Sequence, residues 1–259
     1  MNSLSRVLAA SAAIGLLPYF TTLVAADEMP PLPSPPPPPA LKIAREVKPV
    51  FPVRMLQEGI AHGEVIVAIN VDEHGEITDL LPIRYTHKEF ANVAIPALRE
   101  WKFHPLVYKG ETARAVAEVI FRFEVEGVLV VQRTISAFPE RDLYSFDHYD
   151  YEPCSPADLD RHLTLRQVVK PVYTKDLSDK AITGEVQVEF YIDESGRTRF
   201  PVATFAEHDL LAMLAAAAVE QWRFDPPTRR GQPVIVRAQQ KFSFIPETSA
   251  GATKVPVGK

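Results

Sequence analysis

The stretch Gly184–Ile192, GEVQVEFYI, decides the fold, because apolar and polar residues alternate along it with the period of two typical of a half-buried β-strand. The turn sequence Asp193-Glu194-Ser195-Gly196 comes directly afterwards, and its glycine can adopt a positive φ without steric cost. A second strand is expected after the turn. This part of the chain is therefore predicted to form a β-hairpin.

The same sequence pattern occurs earlier in the chain at a constant offset of 121 positions, as in the step from 63 to 184. The matching pairs are Gly63-Glu64-Val65 with Gly184-Glu185-Val186, Asp72-Glu73-x-Gly75 with Asp193-Glu194-x-Gly196, Trp101-x-Phe103-x-Pro105 with Trp222-x-Phe224-x-Pro226, Gly110 with Gly231, and Phe121-x-Phe123 with Phe242-x-Phe244. A gapless repeat of this length indicates two copies of one domain rather than a solenoid. The length of 259 residues also fits two domains of roughly 100 residues or somewhat more.

Each copy continues with a helix and a last strand. The apolar stripe of a helix comprises Phe90, Val93, Ala94, Ala97, Leu98 and Trp101 in the first copy, and Leu211, Leu214, Ala215, Ala218, Val219 and Trp222 in the second. Pro96 predicts a kink or a late start of the first helix. The last strands cover 117–123 and 238–244. The predicted fold class is α+β, with two tandem small domains, each a three-stranded antiparallel sheet with one packed helix in the order β-β-α-β.

Composition shifts predict the boundaries of the domains. The predicted segments are 1–26 as a signal peptide, 27–47 as a proline-rich spacer, 48–127 as the first domain, 128–168 as a linker, 169–246 as the second domain, and 247–259 as a disordered tail. Cleavage is predicted after Ala26, and an uncleaved inner-membrane anchor is the alternative interpretation. A linker of this kind predicts that the two domains unfold separately.

Several classes of function are not favoured by the sequence. A net charge of −5 and a pI near 5.8 lack the basic footprint that nucleic-acid binding requires. His87 and His208 lie at equivalent helix starts, and no spacing typical of metal ligands surrounds them. Ser195 lacks a G-x-S-x-G context, the run Asp147–Asp150 lacks the glycine of a calcium loop, and Cys154 is the only cysteine. We therefore expect no enzyme activity, metal site or cofactor.

Together, in this order and twice, the repeated motifs resemble the C-terminal domain of TonB. They are Pro171-Val172-Tyr173, Gly184–Val186, Asp193–Gly196, Trp222–Pro226, Gly231 and Phe242–Phe244, with their first-copy counterparts, covering about Lys48–Gly127 and Val169–Pro246. The resemblance implies a periplasmic module in transport driven by the inner-membrane proton motive force. It also implies a partner, an extended segment of an outer-membrane receptor, which the domain adds to its sheet beside the last strand.

The N-terminal region departs from the family pattern. Energy-transducing members have a membrane helix with a histidine that engages the inner-membrane motor proteins, and a long spacer. This chain has no histidine between Met1 and Pro39, and its polyproline run spans only ~30 Å. These departures argue against motor coupling. Two hypotheses remain: receptor binding by β-strand addition in TonB-dependent transport, and a cell-envelope scaffold or adaptor that does not transduce energy.

The resemblance directs attention to the last strand of each copy. In the second copy the outward residues of this strand are Arg237, Gln239, Lys241 and Ser243, and in the first copy they include Glu118 and Arg122. We expect these side chains to flank an edge that accepts the partner strand. The run 128–131 could extend or cover the first edge. The second domain is therefore the predicted binder.

Overall fold

The structure is a computed structural model that describes residues 41–108, 110–134, 146, 148–174, 177 and 179–245. The predicted signal peptide, most of the predicted spacer and the predicted tail lie outside the described residues. The first copy contains β1 Ile43–Arg45, α1 Val53–Gln57, β2 His62–Val71, β3 Ile77–Tyr85, α2 Lys88–Arg99, β4 Lys102–Phe103, β5 Leu106–Tyr108, β6 Glu111–Ala113, β7 Ala115–Glu124 and β8 Gly127–Thr134. The second contains β9 Leu165–Gln167, β10 Gly184–Ile192, β11 Thr198–Ala206, α3 Asp209–Glu220, β12 Arg223–Phe224, β13 Thr228–Arg229, β14 Gln232–Pro233 and β15 Val236–Phe244.

The predicted fold class is confirmed, with one correction to the first domain. The second domain has the expected three-stranded antiparallel sheet, in the order β11-β10-β15. The first domain has a fourth strand, in the order β3-β2-β7-β8. Apart from Gly127, strand β8 lies in the segment 128–168 that was predicted to be a linker. A two-residue turn at Val125 and Glu126 allows the chain to fold back directly on β7.

One helix packs on each sheet, as the apolar stripes predicted. Helices α2 and α3 have 12 residues each and begin directly after His87 and His208. Helix α2 begins at Lys88 and runs through Pro96, so of the two alternatives the late start is wrong, and the kink stays a prediction. No helix among the residues given above is long and apolar enough to cross a membrane.

The repeated D-E-x-G and W-x-F-x-P motifs are in direct contact in both domains. The Asp193 carboxylate accepts hydrogen bonds from the backbone N–H groups of Ser195 and Arg197, which fixes the hairpin turn. The backbone N–H of Phe224 donates to the carbonyl of Gly196 at 2.8 Å, and Phe103 donates to Gly75 at 2.9 Å in the first domain. The turn and the strand after the helix are therefore joined, which explains why the two motifs recur together.

The two tryptophans attach the segment before each domain to the end of its helix. Trp101 and Trp222 are 1% and 4% exposed. Their indole N–H groups donate to the carbonyls of Val47 and Val169, each at 2.8 Å. A buried indole N–H requires such a partner, so each tryptophan also fixes the path of the chain that leads into its domain.

The two sheets pack against each other, so the molecule has four layers in the order α2, first sheet, second sheet, α3. Each sheet covers its helix with one face, through Val65, Val67 and Ile69 in the first domain. The opposite faces form a shared core of Ile66, Ala68, Ile83, Ile120, Tyr191, Phe200 and Ile235. The expectation of separate unfolding is not supported by this arrangement, because either domain would lose half of this core if it unfolded alone.

Alanine substitutions at Gly196 and Gly231 distinguish the energetic cost of a steric clash from the cost of backbone strain. Gly196 and Gly231 have φ values of +84° and +74°, but a Cβ at Gly196 would lie 2.2 Å from the carbonyl oxygen of Phe224, whereas a Cβ at Gly231 meets nothing within 4 Å. We expect Gly231→Ala to cost about 1–2 kcal/mol of unfolding free energy. Gly196→Ala should cost clearly more, because the turn must move away from Phe224. Urea denaturation of both variants measures the difference, and equal losses would contradict the docking of the two motifs.

Candidate functional site: the edges of the two sheets

Four strands lie at the ends of the two larger sheets that the described residues form, and two of these strands contain proline. These are β3 with Pro82 and β11 with Pro201. Proline has no N–H to donate, and it is a common means of protecting an edge from pairing with another strand. Strands β8 and β15 contain no proline. They are therefore the better candidates for pairing with a further strand.

Strand β15 pairs with β10 along its whole length, from Ile192 opposite Val236 to Gly184 opposite Phe244. The N–H of Arg237 points to the other side, where it donates to the carbonyl of Cys154 at 3.4 Å. Because backbone groups alternate along an antiparallel strand, Lys241 and Ser243 also direct their N–H and C=O groups away from β10. Both residues are exposed. Among the described residues no strand pairs with this side of β15, and Cys154 bridges only its first residue, Val236.

The side chains predicted to flank this edge have mostly internal roles. Arg237 pairs with Glu189 at 2.9 Å, and Lys241 pairs with Glu185 at 2.7 Å. Gln239 is only 3% exposed, and its side-chain carbonyl accepts a hydrogen bond from Gln187 at 2.6 Å. The expectation that Gln239 faces solvent is therefore wrong, because this face of the second sheet packs against the first sheet. Lys241 and Ser243 remain accessible to a partner.

The first-copy residues are not at an edge. Strand β7, which contains Glu118 and Arg122, lies between β2 and β8. Glu118 is buried. Arg122 donates to the carboxylate of Glu64 at 2.9 Å, and that carboxylate is itself 1% exposed. The prediction that Glu118 and Arg122 lie on an accessible edge is wrong, because β8 covers β7 and Arg122 neutralises a buried acid.

The segment before the second domain, residues 146 and 148–155, is in contact with both domains. Tyr149 donates to Glu64 at 2.8 Å, and Tyr151 donates to Glu194 at 2.9 Å while its ring stacks on Tyr85. Burial raises the pKa of Tyr149 to about 12, and its hydrogen bond to Glu64 adds to the shift. Interpreting this segment as a linker from the sequence did not predict these contacts. The tyrosines in an otherwise polar run were the sequence feature that could have indicated them.

An ion pair crosses from one domain to the other beside the shared core. Arg199 on β11 donates through Nε and Nη2 to both carboxylate oxygens of Asp79 on β3, with an Nε distance of 2.8 Å. It also donates to Asp193 in its own domain at 3.1 Å. The Arg199 side chain is only 14% exposed. This bidentate geometry fixes the position of the second sheet on the first.

The last strands of the two domains differ in what covers their aromatic residues. Phe121 on β7 is fully buried, and Val130 of β8 is its cross-strand neighbour. The equivalent Phe242 on β15 is only partly buried, and Ile245 just after β15 is 64% exposed. The second domain therefore presents an apolar surface beside the accessible part of its edge, where the first domain has β8.

Comparison with known proteins identifies the domains. A family model described as "Gram-negative bacterial TonB protein C-terminal" matches residues 47–125 and 169–246, which together make up more than half of the 259 residues. The chain belongs to this family and contains two copies of its domain in tandem. Domains of this family are non-enzymatic, periplasmic protein-interaction modules.

One solved structure similar to this chain is the solution NMR structure of the Pseudomonas aeruginosa TonB CTD. It is 25% identical, and the match covers 35% of this chain and 93% of that chain with a TM-score of 0.31. A search of curated proteins gave no match.

A double-mutant cycle tests the ion pair between the domains. We expect the variants Asp79→Ala and Arg199→Ala to show a coupling energy of about 1–2 kcal/mol in unfolding, because the pair is bidentate and partly buried. The exposed pair Arg45 and Glu100, at 3.4 Å, is the matched control and should show coupling close to zero. Similar coupling in the two cycles would contradict a role of Arg199 in holding the domains together.

Proposed function

We propose that this protein is a periplasmic, TonB-type binding module that adds an extended segment of an outer-membrane receptor to the edge of β15 in TonB-dependent transport. The observation that carries the proposal is the difference between the two copies. The equivalent edge of the first domain is occupied by β8, whereas Lys241 and Ser243 direct backbone groups outward from exposed positions. The second domain is then the binding copy, and the first is the structural copy.

The physical basis of such binding is the backbone of β15. An added strand forms main-chain hydrogen bonds, each contributing roughly 0.5–1.5 kcal/mol net, while flanking side chains supply selectivity. The accessible part of β15 is Lys241–Ser243, and Ile245, directly after the strand, is also exposed. This length suits a short extended segment. Binding of this kind requires neither a catalytic residue nor a cofactor, and we propose that the protein is not an enzyme.

The proposed location follows from the family and from the N-terminal sequence. The family supports a periplasmic domain, and the sequence up to Ala26 has the pattern of a cleavable signal peptide. We therefore place the mature chain in the periplasm, with anchoring in the inner membrane as the alternative. The missing histidine in Met1–Pro39 supports a role at the receptor rather than at the motor proteins.

A cell-envelope scaffold or adaptor is the second candidate function. The observation that favours it is the packing of the two domains into one body through their sheets. A rigid pair of domains can hold two partners at a fixed distance, and this role requires no energy transduction. Recovery of the protein in envelope complexes that contain no TonB-dependent receptor would favour this function.

Proline substitution at the accessible edge tests the proposed binding. Ser243→Pro removes an N–H that points away from β10, so the sheet itself loses no hydrogen bond. We expect binding of extended receptor-derived peptides to the full chain to weaken by roughly tenfold or more, because the edge loses a donor. Calorimetric titration measures this change, with circular dichroism to verify folding.

Ser243→Ala is the matched control, and it should bind like the original protein because its backbone is intact. Lys241→Pro is a second edge variant with the same expected loss. Unchanged binding by both proline variants would contradict strand addition at β15. Loss of binding in Ser243→Ala would show that the side chain, rather than the backbone, is the determinant.

A further inference from the structure

The outer face of α3 is apolar, whereas the outer face of α2 is mostly polar. Leu210, Met213 and Ala217 are exposed and lie on one side of α3, opposite the residues that pack on the sheet. We call these three residues the α3 strip. Leu210 and Met213 are 45% and 68% exposed. At the repeat offset, the residues of α2 in their place are Glu89, Asn92 and Pro96. Two large apolar side chains one turn apart indicate a surface that another group covers.

Acidic residues flank the α3 strip at both ends. Glu207 and Asp209 lie at the start of α3 and Glu220 lies at its end, and all three are exposed. Two copies of α3 packed face to face would bring acidic ends together in either orientation, which disfavours a second copy of the chain as the cover. The strip is instead complementary to an apolar segment that has a positive charge on each side.

A segment with this pattern follows the second domain, at residues 254–259, KVPVGK. Its two valines are two positions apart and stand between Lys254 and Lys259. An extended backbone, which Pro256 favours at Val255, places both valines on the same side. Their side chains are then roughly 7 Å apart, close to the ~5–6 Å between residues i and i+3 of a helix, as in Leu210 and Met213. The segment lies outside the described residues.

The end of β15 lies beside the start of α3, which brings the α3 strip within reach of this segment. Strand β15 ends with Phe244 opposite Gly184. A Cβ at Gly184 would lie 2.6 Å from Oε2 of Glu207, and the N–H of Glu207 donates to the carbonyl of Glu185 at 3.3 Å. Residues 246–253 span up to ~26 Å when extended, whereas neighbouring strands are only ~4.8 Å apart. The chain after β15 is therefore long enough to place residues 254–259 on α3.

We propose that residues 254–259 dock on the α3 strip of the same chain. The two valines then cover Leu210 and Met213, and the two lysines lie beside the acidic residues at the ends of α3. An extended segment of this length spans roughly 20 Å, about the ~18 Å length of the 12-residue helix. A tethered segment is present at an effective concentration on the order of millimolar, so weak contacts are sufficient for it to be docked much of the time.

The docked segment leads the chain away from the open edge of β15. Helix α3 lies mainly over β10 and β11, and β10 separates β11 from β15 in the sheet. The side of β15 that faces away from β10 is therefore left uncovered by the docked tail. This inference concerns a different surface from the proposed receptor site and does not depend on strand addition.

The methyl group of Met213 reports the docking by NMR of the full chain labelled at its methionine methyl groups. A soluble paramagnetic agent broadens the signal of an exposed methyl group, and the buried Met55 is the internal reference. We expect Val255→Ser with Val257→Ser to increase the broadening at Met213 by roughly twofold or more, because the tethered segment is docked at least half of the time. Lys254→Glu with Lys259→Glu should have the same effect through repulsion.

Ala250→Ser with Ala252→Ser is the matched control, since it changes two residues at the same spacing in the same tail. Its Met213 signal should match that of the original protein. Equal broadening in the original protein and the valine variant, protection that survives charge reversal, or loss of protection in the control would overturn the inference. Protection that increases with protein concentration and persists in the valine variant would show that a second copy covers the strip, and would also overturn it.

Discussion

The contact between the two sheets is the constraint on which the rest of the structure depends. A β-sheet has two faces, and one face of each sheet already covers a helix. The other faces bury Ile66, Ile120, Tyr191 and Phe200 against each other, with Arg199 fixing their position through Asp79. A partner is therefore left with edges and loops rather than sheet faces. This explains why Gln239, which was predicted to contact a partner, is buried.

The four edges are not equivalent. Prolines protect β3 and β11, whereas β8 and β15 have none. We favour β15 because the side of it that corresponds to the β8-covered side of β7 has exposed positions, with the partly buried Phe242 beside them. Duplication of one domain has thus produced two copies with different edges. The difference arises after the last strand, where the first copy continues into a hairpin and the second continues into Pro246. Tandem repeats of a binding fold need not give two binding sites.

Local patterns were sufficient to predict the strands, the helices and the repeat, because hairpin turns and helical stripes depend on residues close in sequence. The contact between domains was harder to predict, although Val65–Ile69 is apolar without alternation, a sign of a strand buried on both faces. The sequence of the second sheet does not indicate the contact, because Gln187 and Glu189 are polar residues at positions expected to face solvent. In the structure both are buried, and each is paired with a polar side chain of β15. The roles of Tyr149 and Tyr151 depend on partners far away in sequence, and no local period predicts such contacts.

Backbone amide hydrogen exchange of the protein without a partner tests the central claim most directly. The claim is that β8 occupies the first edge and that the equivalent part of the second is accessible. The N–H groups of Ile120 and Arg122 pair with β8 and should be strongly protected. Their equivalents Lys241 and Ser243 should exchange far faster, although β15, like β7, has one face packed against the core of its domain. Equal protection at the two pairs of positions would contradict the account.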